Sequence, residues 1–270
     1  MIKICHTPDA DDAFMFYALE TGKIKHDMDI EFCVDDIQTL NLKLFEHSLD
    51  VSAASVYAAF MLRGYSIMLA GASFGNGYGP VIITKNMKGY EENGSIAVPG
   101  KLTTSYLIYR LFYRFKNEYE IRFDRIISEI KNDRVDYGLL IHEGQDVYSE
   151  HGLKLFASLY DDWKEHTGYR ILPLGVNVIR DDIPIEIKNK LYDLIRKSIE
   201  YSLNNVEESL DYAMKYSRGN SRDVIKKFAL KYVNELTYGM GEEGKNSIKK
   251  VYEMAKNKNL ISSGRISFFP

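Results

Sequence analysis

Six histidines occur, at positions 6, 26, 47, 142, 151 and 166, and most stand in polar loop or helix-surface contexts. His142 differs. It follows the apolar run Tyr137-Gly-Leu-Leu-Ile141 and precedes Glu143, which puts an imidazole at the carboxyl end of a strand, where α/β proteins bind ligands. An imidazole titrates near neutrality, so at that place it can take up or return a proton. The other reading is a structural histidine with a satisfied ring. Spacing does not choose between the two, and Glu143 could orient the ring or simply be solvated.

Three strand-to-helix junctions are rich in small polar residues: Pro8 to Asp12, Ser52 to Ser55 before VYAAFML, and Gly100 to Ser105 before YLIYRLF. Helix N-termini expose unpaired N–H groups and a partial positive charge, so they hold carboxylates or phosphates without lysine or arginine. Asp11, Asp12, Ser55, Thr103 and Thr104 could instead merely cap their helices. Their joint occurrence at sheet ends favours the ligand reading.

Other chemistry finds little support. Gly75-Asn-Gly77-Tyr-Gly79-Pro80 has its third glycine one residue too early for a dinucleotide fingerprint, and a strand follows it instead of a helix. Gly94 and Gly100-Lys101 miss phosphate-loop spacing by one, with Leu102 where Ser or Thr must meet magnesium. Asp9, Asp11 and Asp12 echo the start of a calcium loop, yet Ala13 and Phe14 occupy the next ligand and turn-glycine positions, so no metal site is expected. There is no Gly-x-Ser-x-Gly elbow. Cys5 and Cys33 lie in strand-like flanks, where a thiol behaves as a small hydrophobe, and two cysteines make no disulfide framework.

The elements that must position these residues follow from length and pattern. A chain of 270 residues holds one large domain or two modest ones sharing a core. Apolar residues make up 45%, so a packed core is expected, and a net charge of -3 offers no basic field for nucleic acid. Residues 64–84 are free of charge and long enough to span a bilayer. Five glycines and Pro80 break the stretch, so no membrane insertion is expected. No signal-peptide pattern is readable at the start, and a reduced, cytoplasmic setting is the expectation.

Strands are expected at 2–7, 29–34, 51–54, 67–70 and 81–84, with helices from Phe14 and over 37–47. At Ser95 the alternation restarts, with strand SIAVP, a helix from Thr103, strand EIRF, helix RIISEIKND and strand YGLLI. Residues 172–179 are strand-like and the remainder is mainly helical. This is an α/β chain of two lobes with a ligand cleft between them. Residues 1–88 and 178–270 form the expected first lobe, which carries the C-terminal helices, and 89–177 form the second. Crossovers are expected near 84–95 and 172–180.

At these junctions the sequence resembles a known family. The segments TPDADDAFMFYAL, GASFGNGYGP, IAVPGKLTTSYL, YGLLIHEG, WKEHTG, LPLGVNVIRDD and YVNELTYGMGEEG are similar, in order, to those of the 1,4-dihydroxy-6-naphthoate synthases of the futalosine route to menaquinone. The resemblance implies a periplasmic-binding-protein type II fold and a lyase that releases dihydroxynaphthoate from cyclic dehypoxanthinyl futalosine. It implies no metal or organic cofactor. It places the proton-abstracting histidine on His142 and substrate contacts on Ala53, Ala54, Ser55, Thr103 and Thr104, with Asp12 added from the first junction. Many members read Ser-Pro-Cys-Pro-Asn-Asp-Thr there; the extra carboxylates of this chain make that rim more acidic and less welcoming to an anion.

The expected partner is therefore a small anionic molecule. Two alternatives share the scaffold, a chorismate dehydratase-like enzyme and a non-catalytic solute-binding protein for a small carboxylate. LLIHEG and GKLTTSY favour the synthase. A solute-binding protein should carry an export signal or lipobox cysteine, and no leader pattern precedes Cys5.

Overall fold

Several apolar runs in this chain, such as IKICH, VSAAS and YSIM, lack the polar alternation of a strand with one wet face, and such strands need cover on both sides. A computed structural model describes residues 1–270 apart from Lys88, Glu143 and Ser263. The chain opens with β1 (Ile2–His6), α1 (Ala10–Glu20), β2 (Ile30–Val34), α2 (Ile37–Phe45), β3 (Val51–Ser55), α3 (Val56–Met61), β4 (Tyr65–Met68) and β5 (Ser73–Gly75). It continues through β6 (Val81–Thr84), β7 (Ser95–Val98), α4 (Thr104–Phe112), β8 (Asn117–Glu120), α5 (Ile126–Lys131), β9 (Tyr137–Leu140), α6 (Gly144–Val147) and β10 (Lys154–Ser158). Then come α7 (Leu159–Thr167), β11 (Leu172–Arg180), α8 (Ile185–Asn204), α9 (Val206–Ala213), α10 (Arg222–Tyr232), α11 (Glu235–Tyr238), α12 (Gly241–Asn257) and β12 (Phe268–Phe269).

Two sheets result. The first has the order β12-β4-β11-β3-β1-β2, with β5 added against β11, and the second has the order β10-β6-β9-β7-β8. β1 runs parallel to both β2 and β3, so the β1–α1 and β3–α3 turns leave the sheet at the same edge. In the second sheet β7 is parallel to β8 and β9, which likewise brings the turn before α4 beside the end of β9. All the expected junctions thus sit at carboxyl ends of strands, as the two-lobed architecture requires.

Helix α1 is buried from Ala10 to Leu19 without a break. A helix with no wet face needs cover on every side, and this explains where the C-terminal third goes. Helices α8, α9 and α10 pack over α1, and Phe14, Phe16, Leu191, Ile195, Leu210 and Phe228 share one core cluster with it. The C-terminal helices therefore coat the first lobe, as expected. On the other face a second cluster runs continuously from α2 and α3 through α12 to α4 and the buried Trp163 of α7, tying the lobes together.

Three details differ from the sequence pattern. Strand 81–84, expected in the first lobe, is β6 and pairs with β9 and β10 of the second sheet, so the chain crosses between Gly75 and Val81. The return is made by α7 and residues 168–171, and β11 lies in the first sheet along its length. An apolar, β-branched strand such as Val-Ile-Ile-Thr suits either sheet, and its partners lie more than fifty residues away. The expected EIRF strand is shifted to Asn117–Glu120, and a single 3-10 turn at Phe123–Arg125 leads into α5. Finally, Cys5 and Cys33 are not separate thiols: the parallel register of β1 and β2 sets them opposite each other, 4.6 Å apart at Cα, as a disulfide. Register across strands is a non-local property that flanking residues do not disclose.

Candidate active site

In the first junction Thr7, Pro8 and Asp9 link β1 to α1. Asp9 occupies the N-cap position with extended backbone but makes no side-chain cap bond. Its carboxylate turns away: Oδ1 accepts from Arg218 Nη2 at 2.7 Å, and Oδ2 lies 3.1 Å from His142 Nδ1. Asp12 Oδ2 accepts from the N–H and hydroxyl of Thr7, each at 2.8 Å, and so closes the turn instead of capping the helix. Behind it the buried ring of His6 rests on Phe16, with Nδ1 2.8 Å from Thr7 O and Nε2 3.4 Å from Glu20. Burial pushes the Asp12 carboxyl above its ordinary value, against the pull of His6 and the Thr7 donors.

The second junction carries Ala53, Ala54 and Ser55. Ser55 makes no side-chain cap bond to α3. Its hydroxyl instead accepts from Asn41 Nδ2 at 3.0 Å, while its N–H donates to Asn41 Oδ1 at 2.9 Å. In the third junction Thr103 does cap: its hydroxyl accepts from Tyr106 N and donates to Gly100 O. Thr104 spans the lobes by donating to Leu174 O and accepting from Tyr57 N. Gly100 has no side chain for a reason of space, since an added Cβ would lie 2.5 Å from Oε1 of Gln38, which reaches over from α2 to accept from Leu102 N. The α4 end of the site therefore offers hydroxyls and a helix N-terminus with no acidic residue in its first turn, whereas α1 begins with Asp11 and Asp12.

His142 follows β9 with φ 57°, in the left-handed region that few residues other than glycine adopt. Its ring is 16% exposed and stands edge to face against Phe123, centroids 4.8 Å apart. Burial is the main cause that lowers the His142 pKa below its ordinary value, Arg218 adds to it, and the carboxylates of Asp9 and Asp36 oppose it. Asp9 moves down as well: burial alone would raise it, but His142 and Arg218 together outweigh that. At neutral pH the ring is uncharged and able to accept a proton, and Arg218 then keeps Asp9 ionised. Nδ1 faces Asp9 Oδ2 at 3.1 Å, and a ring that carries its proton there would keep its lone pair on Nε2.

Asp9, His142 and residues of all three junctions line one cavity between the lobes, of about 120 Å³ inside and about 730 Å³ with its open mouth included. Asp12, Ala53, Ala54, Ser55, Thr103, Thr104 and His142, singled out from sequence, all lie on its wall. Apolar surface between the polar ends comes from Ile37, Ile141, Leu174 and Val176. Glu143 is outside the described residues. Asp9 was visible in sequence only as part of an acidic turn, and nothing there paired it with His142. Arg218, in the loop after α9, carried no signal. Gln145 and Tyr232 were also missed: Gln145 Nε2 donates to Tyr232 Oη, and its buried Oε1 has no partner among the described residues. Among those residues no group of three or more His, Cys, Asp and Glu side chains is arranged to hold a metal ion, and no helix is long and apolar enough to cross a membrane.

Comparison with known proteins gives the following. A family model described as "Menaquinone biosynthesis" matches residues 2–257. A protein of Thermus thermophilus named 1,4-dihydroxy-6-naphtoate synthase is 31% identical over 262 residues, covering 97% of this chain and 96% of its own. One of the same name from Streptomyces coelicolor is 27% identical, covering 96% and 94%. Among solved structures, protein AF1704 of Archaeoglobus fulgidus superposes with a TM-score of 0.93 at 45% identity, over 96% of this chain and 98% of its own. The alkanesulfonate-binding protein SsuA of Xanthomonas axonopodis, bound to MOPS, superposes at 0.69 with 9% identity, covering 97% and 94%, which shows the periplasmic-binding-protein fold and no more.

Proposed function

Since the chain belongs to the menaquinone biosynthesis family, we propose that it is a lyase of that route, a 1,4-dihydroxy-6-naphthoate synthase that releases the dihydroxynaphthoate from cyclic dehypoxanthinyl futalosine. The observation that carries the reading is that three small-residue junctions and one strand-end histidine, far apart in sequence, line the same interlobe cavity.

The two ends of that cavity divide the work. The start of α4, with the N–H groups of Thr104 and Ser105, and the Ser55 hydroxyl across from it receive the substrate carboxylate, because they supply donors and a positive helix end without a competing carboxylate. The apolar wall receives the flat ring system. His142 stands at the acidic end, where the sugar-derived part lies, and its neutral Nε2 takes a proton from that part as general base. The imidazolium that forms is stabilised by the Asp9 carboxylate 3.1 Å away. Closing the lobes over the substrate excludes water and brings the base to its proton.

Incubation of the purified protein with cyclic dehypoxanthinyl futalosine, followed by mass analysis, should yield 1,4-dihydroxy-6-naphthoate. His142→Ala should abolish that turnover while leaving substrate binding nearly intact. Absence of product from the wild-type protein refutes the assignment, and chorismate supplied in parallel identifies the dehydratase-like alternative.

A further inference from the structure

His142 and three side chains around it form a closed circuit that draws on both lobes. Asp9 Oδ2 lies 3.1 Å from His142 Nδ1, His142 packs on Phe123 at 4.8 Å, the Arg218 guanidinium sits over the Phe123 ring at 4.7 Å, and Arg218 Nη2 returns to Asp9 Oδ1 at 2.7 Å. Asp9 and Arg218 belong to the first lobe, the one on the β1–α1 turn and the other on the loop after α9. His142 and Phe123 belong to the second. Two of the four links therefore cross the cleft. Arg218 is also bonded to Pro8 O at 2.7 Å, so it holds the turn that carries Asp9 as well as the carboxylate itself.

Both His142 and Arg218 adopt positive φ, 57° and 52°. Non-glycine residues persist there when surrounding contacts over-determine them, and such residues concentrate at functional sites. Asp9 gives up the N-cap bond that an aspartate at that position ordinarily makes, and with it a known stabilisation of α1, in order to face the ring.

We propose that Asp9, held by Arg218, is a positioning residue for His142 supplied from the opposite lobe, so that the base takes its working tautomer and orientation only while the lobes are closed. The proposal rests on the role given to His142 above and adds the residue that sets its geometry. In the closed state Nδ1–H donates to Asp9 and Nε2 keeps its lone pair for the substrate. With the cleft open, Asp9 and Arg218 withdraw together, Phe123 stays beside the ring, and Nδ1 loses its carboxylate, so the ring can exchange tautomers. The charged groups acting on the ring are Asp9 from the first junction, Arg218 from the C-terminal region and Asp36 at the start of α2. Asp11 and Asp12 share the cavity wall.

The test uses the full-length chain with ¹⁵N-labelled histidine, the His142 resonance being identified by its loss in His142→Asn. Wild-type protein should show Nδ1 protonated and Nε2 unprotonated at neutral pH, and Asp9→Asn should abolish that preference. In turnover, Asp9→Asn should lower kcat about 10²-fold with KM changed less than about threefold. The acid limb of its kcat/KM profile should move to lower pH, because a carboxylate that favours the imidazolium is gone. Asp9→Glu should recover part of both effects. An unchanged His142 tautomer and an unmoved acid limb in Asp9→Asn overturn the proposal. If that variant does not fold, a wild-type spectrum with Nδ1 unprotonated overturns it alone. Should the wild-type protein fail to act on the substrate, the functional assignment falls, and the tautomer measurement still decides the link between Asp9 and His142.

Discussion

Replacing Asn41 with alanine should expose how the second junction is held. Asn41 is fully buried on α2, where it stands beside Leu40 and Leu44, and its amide makes two bonds of 3.0 and 2.9 Å to the hydroxyl and N–H of Ser55. A weaker bond of 3.5 Å reaches Leu102 O across the cleft. In Asn41→Ala the Ser55 N–H is left buried without a partner, which costs about 1–3 kcal/mol, and the lost bond to the hydroxyl adds about 1 kcal/mol. Together they amount to about 3 kcal/mol, or a fall in Tm of about 6–12 °C for a chain of this size. Ser55→Ala removes only the hydroxyl and should cost about 1 kcal/mol. Asn41→Asp keeps the acceptor for Ser55 N–H but places a carboxyl at a fully buried position, so it should be less stable than Ser55→Ala, and its negative charge beside the proposed carboxylate position should raise KM. Denaturant and thermal unfolding of the three variants, with steady-state kinetics, check this. If Asn41→Ala is no less stable than Ser55→Ala to within about 0.5 kcal/mol, the argument from the orphaned N–H is wrong.

Other outcomes follow from the same geometry. Gly71→Ala should destabilise the fold by more than about 2 kcal/mol in denaturant unfolding, because φ is 80° there and an added Cβ would lie 2.0 Å from Asn177 Nδ2 in the buried wall. The pKa of His142 lies below the ordinary 6.5, so kcat/KM should stay level as pH falls through 6.5 and decline only at lower pH; a limb at or above 6.5 contradicts a buried neutral base. For His6, burial would lower the pKa, but Glu20, Asp12 and Thr7 O outweigh it and raise it above 6.5. That contribution to stability is complete below 6.5 and disappears as pH rises through the folded-state value. His6→Gln should therefore cost more stability at pH 6 than at pH 8, and an equal loss at both refutes the linkage.

Much of the site was legible one junction at a time. The short polar runs at 8–12, 52–55 and 100–105 and the histidine closing YGLLIH are local signals, since a strand end followed by a helix start has its own residue chemistry. The capping alternative holds for Thr103, whereas Ser55 and Asp12 bond elsewhere. Asn41 offered a signal that went unread, a polar residue on the buried stripe of an amphipathic helix, which must be satisfied by something. The sheet to which Val81–Thr84 belongs, and the disulfide between Cys5 and Cys33, had no comparable mark.

What the sequence determined unaided is the set of elements and the chemistry at their ends, because propensity, apolar periodicity and turn residues act over a few neighbours. Only tertiary structure decided which ends meet. Asp9 and His142 are 133 residues apart, and Arg218 lies a further 76 beyond, yet one cluster of charged contacts contains all three. The pairing depends on how the two sheets face each other and on the C-terminal helices that cover α1, and such long-range packing leaves no trace in the residues flanking any one of them.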